Sequence, residues 1–316
     1  MTGARYEGAV DLRSGRRLGF AEFGPAHGHP IIWFHGTPGA RRQIPPTAHR
    51  AVEELGLRII SIERPGVGLS TSHQYGAIAD IVDEVTEVVD ALGVGDFGVV
   101  GLSGGGPYAL AMGALMPDRV YGVAVLGGVV PTVGPDACDA GWLLTVARRV
   151  QFLMPAFVEV GGFGLWALLR VTRPLGYTLY DRVTPLLGEG DQEVFASEGM
   201  REMFIGDLQN GSRKQFRAAL HDATLFGRDW GFRLADVSVP VRWWHGDIDP
   251  IVPLSAAEAA YPRLPDVEFH LRPGESHLGG FAAAHEVLEA LAELRPGPPG
   301  PARQNGNGRS VRSLTE

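Results

Sequence analysis

Residues Phe97 to Gly105 read FGVVGLSGG. A short β-favouring apolar run ends in a serine set among glycines. The segment that follows, Gly104 to Met116 (GGGPYALAMGALM), carries a helical pattern. Gly101-Leu102-Ser103-Gly104-Gly105 therefore fits G-x-S-x-G between a strand and a helix, the context a nucleophile elbow requires. Such a turn is crowded. It forces the serine into a strained conformation with its hydroxyl exposed, and neighbours without side chains let the chain bend and a substrate approach. The first N–H groups of the helix would face the site and favour developing negative charge. A glycine-rich turn with an incidental serine is the plainer alternative in a chain with 44 glycines. A dinucleotide-binding turn is another, since strand, glycine-rich turn and helix is also its signature. The glycine spacing here is wrong for it, and no acid closes a following strand about 20 residues on. The one G-x-G-x-x-G, Gly93 to Gly98, precedes a strand instead of following it.

Outward from the elbow, strand and helix alternate. Further β-rich runs are Ile31–Phe34, Leu57–Ile62, Val120–Leu126, Val239–Trp244 and Val267–Leu271. Helical patterns cover Pro46–Leu55, Ile78–Leu92, Leu254–Tyr261 and Gly280–Leu294. Near-continuous apolar strands between helices imply an α/β fold with a mostly parallel sheet covered on both faces. The first 24 residues, with Ser14-Gly15 as a turn, read as an antiparallel hairpin on the sheet edge. The alternation stops between Pro131 and Trp230, where several helices are expected, one opened by Ser212-Arg213-Lys214-Gln215. Inserted after a strand, these helices would form a lid over the strand ends where ligands bind. The expected organisation is a first part of the core domain over 1–130, a helical cap insertion over 131–230, the rest of the core over 231–295, and a disordered tail over 296–316. The tail, PGPPGPARQNGNGRSVRSLTE, is rich in Pro, Gly and polar residues.

A serine hydroxyl attacks only when a base takes its proton, and the base needs an orienting carboxylate. At such elbows the partners follow in the order acid, then histidine. Asp249 lies just past the Val239–Trp244 strand in HGDIDPIVP, and His277 just past the Val267–Leu271 strand in PGESH. Both should sit at the same sheet edge as Ser103. Asp247 competes with Asp249, which is preferred. His27, His29 and His73 fall in loops, His49 and His285 on helices, His221 in the insertion. His245 and His270 lie in or at the ends of strands, as structural histidines would. A metal reading of His245, Asp247, Asp249 and His277 lacks helical i, i+4 pairing and leaves the serine unexplained; no metal is expected. An oxyanion intermediate needs two donors. One is the N–H of Gly104; the other should come from His35-Gly36-Thr37-Pro38-Gly39, where Thr37 supplies it because Pro38 has no N–H. His35, Gly36, Gly101 and Gly105 support these loops. Activity is expected to fall as His277 becomes protonated.

The 316 residues are 45% hydrophobic and 20% charged, enough apolar material for a core, which excludes a wholly disordered or collagen-like chain. One cysteine, Cys138, excludes an intramolecular disulfide and a cysteine-based zinc site. A net charge of −8 argues against nucleic-acid binding. Of 28 basic residues only Lys214 is a lysine, which reads as codon bias. The start, MTGARYEGAV, lacks the build of a secretory signal, and the longest apolar stretch, Val120 to Val133, is too short and glycine-broken to span a bilayer. A cytoplasmic location without stable membrane insertion is expected, although the greasy stretch from Trp142 to Val171 leaves interfacial contact open. Oligomeric state is open, a homodimer included.

Taken in order, these motifs resemble the α/β-hydrolase superfamily over Arg16 to Leu294. HGTPG at His35 is similar to the family's H-G-x-P oxyanion loop. ERPGVGLS at Glu63 resembles D-R-P-G-x-G-x-S, with Glu63 where Asp is usual. GLSGG at Gly101 matches the elbow, and DWGF at Asp229 followed by VPVRWWHGDIDPIVP resembles the acid-bearing segment. The resemblance implies an eight-stranded, mostly parallel sheet, a helical cap and a cofactor-free Ser-Asp-His triad. The histidine motif ESHL departs from the family by lacking a glycine just before the histidine. Serine at the elbow argues against haloalkane dehalogenases and most epoxide hydrolases, which use Asp there. Thr37 replaces a glycine of the proline iminopeptidase loop, and Thr37 and Gly104 do not match cofactor-free haloperoxidases. Glu198 and Glu202 are the candidate anchors for a substrate amine, or a solvated helix face. Trp142, Phe152, Met154, Phe157, Phe163, Trp166 and Phe204 suggest an apolar pocket. The expected function is hydrolysis of uncharged, apolar carboxylic esters through an acyl-Ser103 intermediate. The alternatives are a proline-iminopeptidase-like peptidase, a lactonase, or a small-molecule receptor whose triad is slow.

Overall fold

The computed structural model describes residues 4–139, 176–184, 189–196, 199–211, 217–296 and 311–313. Strands β1 (Tyr6–Asp11) and β2 (Arg17–Phe23) form the expected hairpin, paired from Tyr6↔Glu22 to Asp11↔Arg17 around Gly15 at φ 79°. Then follow β3 (His29–Phe34), β4 (Leu57–Ile62), β5 (Phe97–Leu102), β6 (Val120–Leu126), β7 (Val241–Gly246) and β8 (Val267–Arg272). The spatial order is β8-β7-β6-β5-β3-β4-β2-β1-β9, where β9 is Val311–Ser313. From β8 to β4 every pairing is parallel; β2 joins β4 antiparallel.

The apolar runs of these strands arise because both faces are covered. Successive side chains of a strand point to opposite faces, and here each face has its own core. Ile32, Phe34, Val99, Val125 and Trp243 pack with α2 (Ile81–Ala91), α3 (Gly106–Leu115) and α8 (Leu254–Ala260). Their neighbours Ile31, Trp33, Val100, Ala124 and Trp244 pack with α1 (Pro46–Glu54) and α9 (Ala284–Leu294). Burial of this kind contributes about 1.5–3 kcal/mol per large apolar side chain.

Three expectations shift. β7 starts at Val241, since Pro240 has no N–H to give the ladder; its carbonyl accepts from Val123 N–H at 2.9 Å. The last helix starts at Ala284, because a 3₁₀ turn over His277–Phe281 precedes it. The tail is not wholly outside the fold: Val311–Ser313 adds a ninth strand, antiparallel to β1, with Gly8 opposite Ser313. The outer edge of β1 would otherwise present unpaired backbone groups, and any short extended segment can take them up.

Between β6 and β7 the described elements are helices: α4 (Gly176–Val183), α5 (Glu189–Ala196), α6 (Met200–Gly211) and α7 (Arg217–Phe226). Phe204 packs on Phe195 with ring centroids 5.4 Å apart, and Phe195 meets Phe281 of the body at 6.5 Å. Phe204 thus belongs to an aromatic cluster joining cap to body. Glu202 is exposed. Trp142, Phe152, Met154, Phe157, Phe163, Trp166, Glu198 and the Ser212–Gln215 capping box lie outside the described residues. The pairings Phe34↔Gly101, Leu102↔Leu126, Leu126↔Trp244 and Gly246↔Arg272 bring the loops after β3, β5, β7 and β8 to one sheet edge.

Candidate active site

Ser103 stands at the end of β5 with φ 52°, the one non-glycine residue with positive φ among the described residues. Left-handed backbone at a side-chain-bearing residue costs of order 1–3 kcal/mol and persists only where its surroundings enforce it. The two motif glycines explain how. A Cβ on Gly101 would lie 2.6 Å from the Gly105 carbonyl oxygen, and one on Gly105 would overlap the Phe34 carbonyl oxygen. The turn closes this tightly only because neither has a side chain.

His277, from the loop after β8, brings Nε2 to 2.7 Å from Ser103 Oγ. Its Nδ1 lies 2.7 Å from Asp249 Oδ2. The other oxygen of Asp249 accepts the N–H groups of Ile251 at 2.8 Å and Val252 at 2.9 Å. Asp249 is buried, so its carboxylate depends on these donors. With Oδ2 an acceptor, Nδ1 carries the proton and Nε2 is left to accept from Ser103. Asp247 is exposed and uses Oδ1 to accept the Gly274 N–H at 2.8 Å, closing the loop away from His277. Ser103, Asp249 and His277 are thus brought together, and Asp247 is not.

His245 of β7 and His270 of β8 have other contacts, and His29, expected in a loop, is the first residue of β3. His245 Nε2 donates to the Val252 carbonyl at 2.8 Å, and burial lowers its pKa. His270 stacks on Trp244 with centroids 4.4 Å apart.

In the loop after β3, the Gly36 N–H donates to Gln43 Oε1 at 2.6 Å. His35 is fully buried; burial, reinforced by the Arg64 charge, holds its pKa well below the usual value, and neutral Nδ1–H donates to the Gly36 carbonyl at 2.8 Å. A Cβ on Gly36 would lie 3.5 Å from Ser103 Cβ, and one on Gly104 would overlap Thr37 Oγ1. Thr37 and Gly104 therefore abut beside the serine, where the sequence placed the two oxyanion donors. Among the described residues the Thr37 N–H has no acceptor.

Several site residues escaped the sequence. Arg64, 2% exposed, donates Nη1 to the His35 carbonyl at 2.5 Å, Nη2 to the Gly36 carbonyl at 3.0 Å and Nη2 to Thr37 Oγ1 at 2.7 Å. It pairs with Asp222 of α7, Nε to Oδ2 at 2.9 Å. Asp222 Oδ2 also accepts Thr37 Oγ1–H at 2.9 Å, and Oδ1 accepts Tyr108 O–H at 2.8 Å. Asp207 of α6 accepts the N–H groups of Ala40 at 2.8 Å and Arg42 at 3.0 Å; burial raises its pKa to about 7. Asp191 of α5 accepts from Ser276 Oγ, next to His277. Glu63, which the sequence does single out, is buried and pairs with Arg41 at 2.6 Å.

Sheet order, elbow and loop placement define an α/β hydrolase, and the family profile described as alpha/beta hydrolase fold matches residues 29–283. The chain belongs to that family. It is 25% identical over 283 residues to a 2-hydroxy-6-oxononadienedioate/2-hydroxy-6-oxononatrienedioate hydrolase of Burkholderia vietnamiensis, covering 85% of this chain and 87% of that protein. It is 29% identical over 113 residues to a proline iminopeptidase of Arabidopsis thaliana, a match spanning 35% of this chain and only 29% of that protein. In structure it is similar to a thermophilic esterase from Thermogutta terrifontis, with TM-score 0.62, 20% identity, and coverage of 92% of this chain and 97% of the other.

Proposed function

We propose that this hydrolase cleaves uncharged carboxylic esters by nucleophilic catalysis at Ser103. The observation that carries the proposal is the continuous pair of 2.7 Å contacts from Ser103 Oγ through His277 to Asp249. His277 Nε2 takes the hydroxyl proton as Oγ bonds to the ester carbonyl carbon. The Gly104 and Thr37 N–H groups receive the negative charge on the carbonyl oxygen. The tetrahedral adduct collapses to acyl-Ser103, and His277 gives its proton to the departing alkoxide. Water, losing a proton to His277, attacks the acyl carbon; the acid leaves and the proton returns to Ser103. Asp249 holds the imidazole in the reacting tautomer and stabilises its cation.

Preference for uncharged esters is supported by how the charges near the site are used. Among the described residues, Arg64 is committed to Asp222 and Asp249 to His277. Neither is left to recognise an ionic substrate. Ser103→Ala should abolish turnover of p-nitrophenyl acetate and butyrate while retaining the wild-type melting temperature, and a fluorophosphonate should label the wild type once, at Ser103. Wild-type ester hydrolysis by the alanine variant overturns the assignment. Ligand-dependent melting shifts with neither turnover nor labelling would point to a receptor instead.

A further inference from the structure

The cap carries a charge that the reaction as drawn does not use. Asp222 of α7 and Arg64 of the loop after β4 are both nearly buried, and their contacts converge on the backbone between His35 and Thr37. A buried ion pair is by itself weak evidence of stabilisation, since desolvation offsets much of the attraction. What distinguishes this pair is what it grips. The Gly36 carbonyl and the Thr37 N–H belong to one peptide unit, and in a trans peptide the two point in opposite directions. Arg64 Nη2 and His35 Nδ1 both donate to that carbonyl, from 3.0 and 2.8 Å. Fixing the oxygen on the Arg64 side fixes the N–H on the other side, and donation to the oxygen polarises the N–H into a better donor. Thr37 is held a second time through its hydroxyl, which accepts from Arg64 and donates to Asp222. Asp222 is anchored in turn by Tyr108 of α3, the helix that follows the nucleophile, and the Arg64 guanidinium lies 5.0 Å from the centre of the Tyr108 ring.

We infer that Asp222 and Arg64 are positioning residues for the Thr37 oxyanion donor, so that the seated cap completes the oxyanion hole. The inference rests on Ser103 acting as the nucleophile and Thr37 N–H as an oxyanion donor. An Asp222 carboxylate supplied from the cap keeps Arg64 oriented toward the loop. Without it, the guanidinium loses the one counter-charge it has among the described residues, the Thr37 hydroxyl loses its acceptor, and the Gly36 carbonyl is left with His35 Nδ1–H as its fixed donor.

The test uses the full chain and three variants: Asp222→Asn, Thr37→Val and Tyr108→Phe. Thr37→Val removes the gripped hydroxyl, keeps the shape and the N–H, and stands in should Asp222→Asn fail to fold. The readouts are kcat and KM on p-nitrophenyl butyrate, and the inhibition constant of a trifluoromethyl ketone, which forms an oxyanion adduct on serine. Asp222→Asn should lower kcat about tenfold to a hundredfold with KM within about twofold, and weaken the ketone by a matching factor. Thr37→Val and Tyr108→Phe should do the same to a smaller degree, about threefold to tenfold. A folded Asp222→Asn or Thr37→Val with wild-type kcat overturns the positioning role. So does a loss of kcat without matching loss of ketone affinity, because a general loosening of the cap would raise KM and leave the oxyanion contact untouched. An active, fluorophosphonate-labelled wild type beside unaffected variants defeats this inference alone; a wild type that neither labels nor turns over defeats the serine-hydrolase proposal with it.

Discussion

Replacing Asp249 by asparagine tests the site at its most constrained point. The two carboxylate oxygens have different duties: Oδ1 accepts two backbone N–H groups, from Ile251 and Val252, and Oδ2 faces His277 Nδ1. An asparagine must place its carbonyl oxygen on one side and its NH₂ on the other. Turning NH₂ toward Ile251 and Val252 would set donor against two donors in a buried position, a penalty of about 1–3 kcal/mol. The oxygen is therefore held there and NH₂ points at His277. Nδ1 must then accept, which moves the imidazole proton to Nε2, opposite Ser103 Oγ. In that tautomer His277 cannot take the serine proton. Loss of the reacting tautomer in a serine triad costs about 10⁴-fold in kcat, equivalent to about 5.4 kcal/mol of barrier. The backbone contacts survive, so the melting temperature should stay within a few degrees. Steady-state hydrolysis of p-nitrophenyl butyrate above neutral pH, with circular-dichroism melts on the same samples, provides the assay. Asp247→Asn is the control: its exposed oxygen accepts one N–H, from Gly274, which an amide oxygen can also do, and kcat should stay within about threefold. An Asp249→Asn enzyme within tenfold of wild type, or an Asp247→Asn enzyme that falls as far, refutes the assignment of the acid.

Gly105→Ala should destabilise the fold by about 1–3 kcal/mol in urea melts, because the new methyl meets the Phe34 carbonyl oxygen, which the sheet holds in place; unchanged stability would mean that the elbow is looser than its contacts imply. Burial raises the Asp207 pKa from 3.8 to about 7, with Glu63 adding to the rise and the Ala40 and Arg42 N–H groups and the Arg41 charge opposing it. The folded state therefore holds a proton that the unfolded chain has released, and stability from this group is present below about pH 4 and lost as pH rises through about 7. The slope is at most about 1.4 kcal/mol per pH unit. Denaturation at intervals from pH 4 to 8 should show the wild type losing stability relative to Asp207→Asn, and a constant difference between them excludes the effect. Ser276→Ala removes the donor to buried Asp191 and should cost about 1–3 kcal/mol in urea melts; a neutral change would show that Asp191 finds another donor.

The parts legible in the sequence were those whose physics is local. A strand buried on both faces must be apolar throughout, so β5 and β6 announced themselves, whereas β7 was misplaced by two residues at Pro240. The elbow was legible because its backbone admits no side chain at 101 or 105. Asp249 and His277 were legible as the polar residues just beyond two strand ends, although HGDIDPIVP offered two acids and only the contacts of the folded loop separate them. Arg64 was visible inside ERPG without a role, because its partners are carbonyls 28 and 29 positions earlier and a carboxylate 158 positions later. Asp222 sits in RAALHDATLF, where nothing distinguishes it from a solvated helix position. The three-residue β9 is too short for alternation to signal a strand, and its pairing is decided by the edge it meets.

The described cap joins the body in two physically different ways. Phe195, Phe204 and Phe281 form an apolar contact, which is non-directional and tolerates sliding. Asp191, Asp207 and Asp222 are all buried, and a carboxylate at that depth is tolerable only where donors wait for it. Those donors are Ser276 beside the histidine, the Ala40 and Arg42 N–H groups just past the oxyanion loop, and Arg64 with Thr37 and Tyr108 at its centre. A shift of any one of these cap helices by a single turn, about 5.4 Å, would strand the acid that it carries, whereas the aromatic contact has no such directional requirement. The apolar cluster thus supplies adhesion and the carboxylates supply register. Because each acid lands on a loop that carries a member of the proposed site, the register of the cap and the placement of those loops are coupled through these contacts.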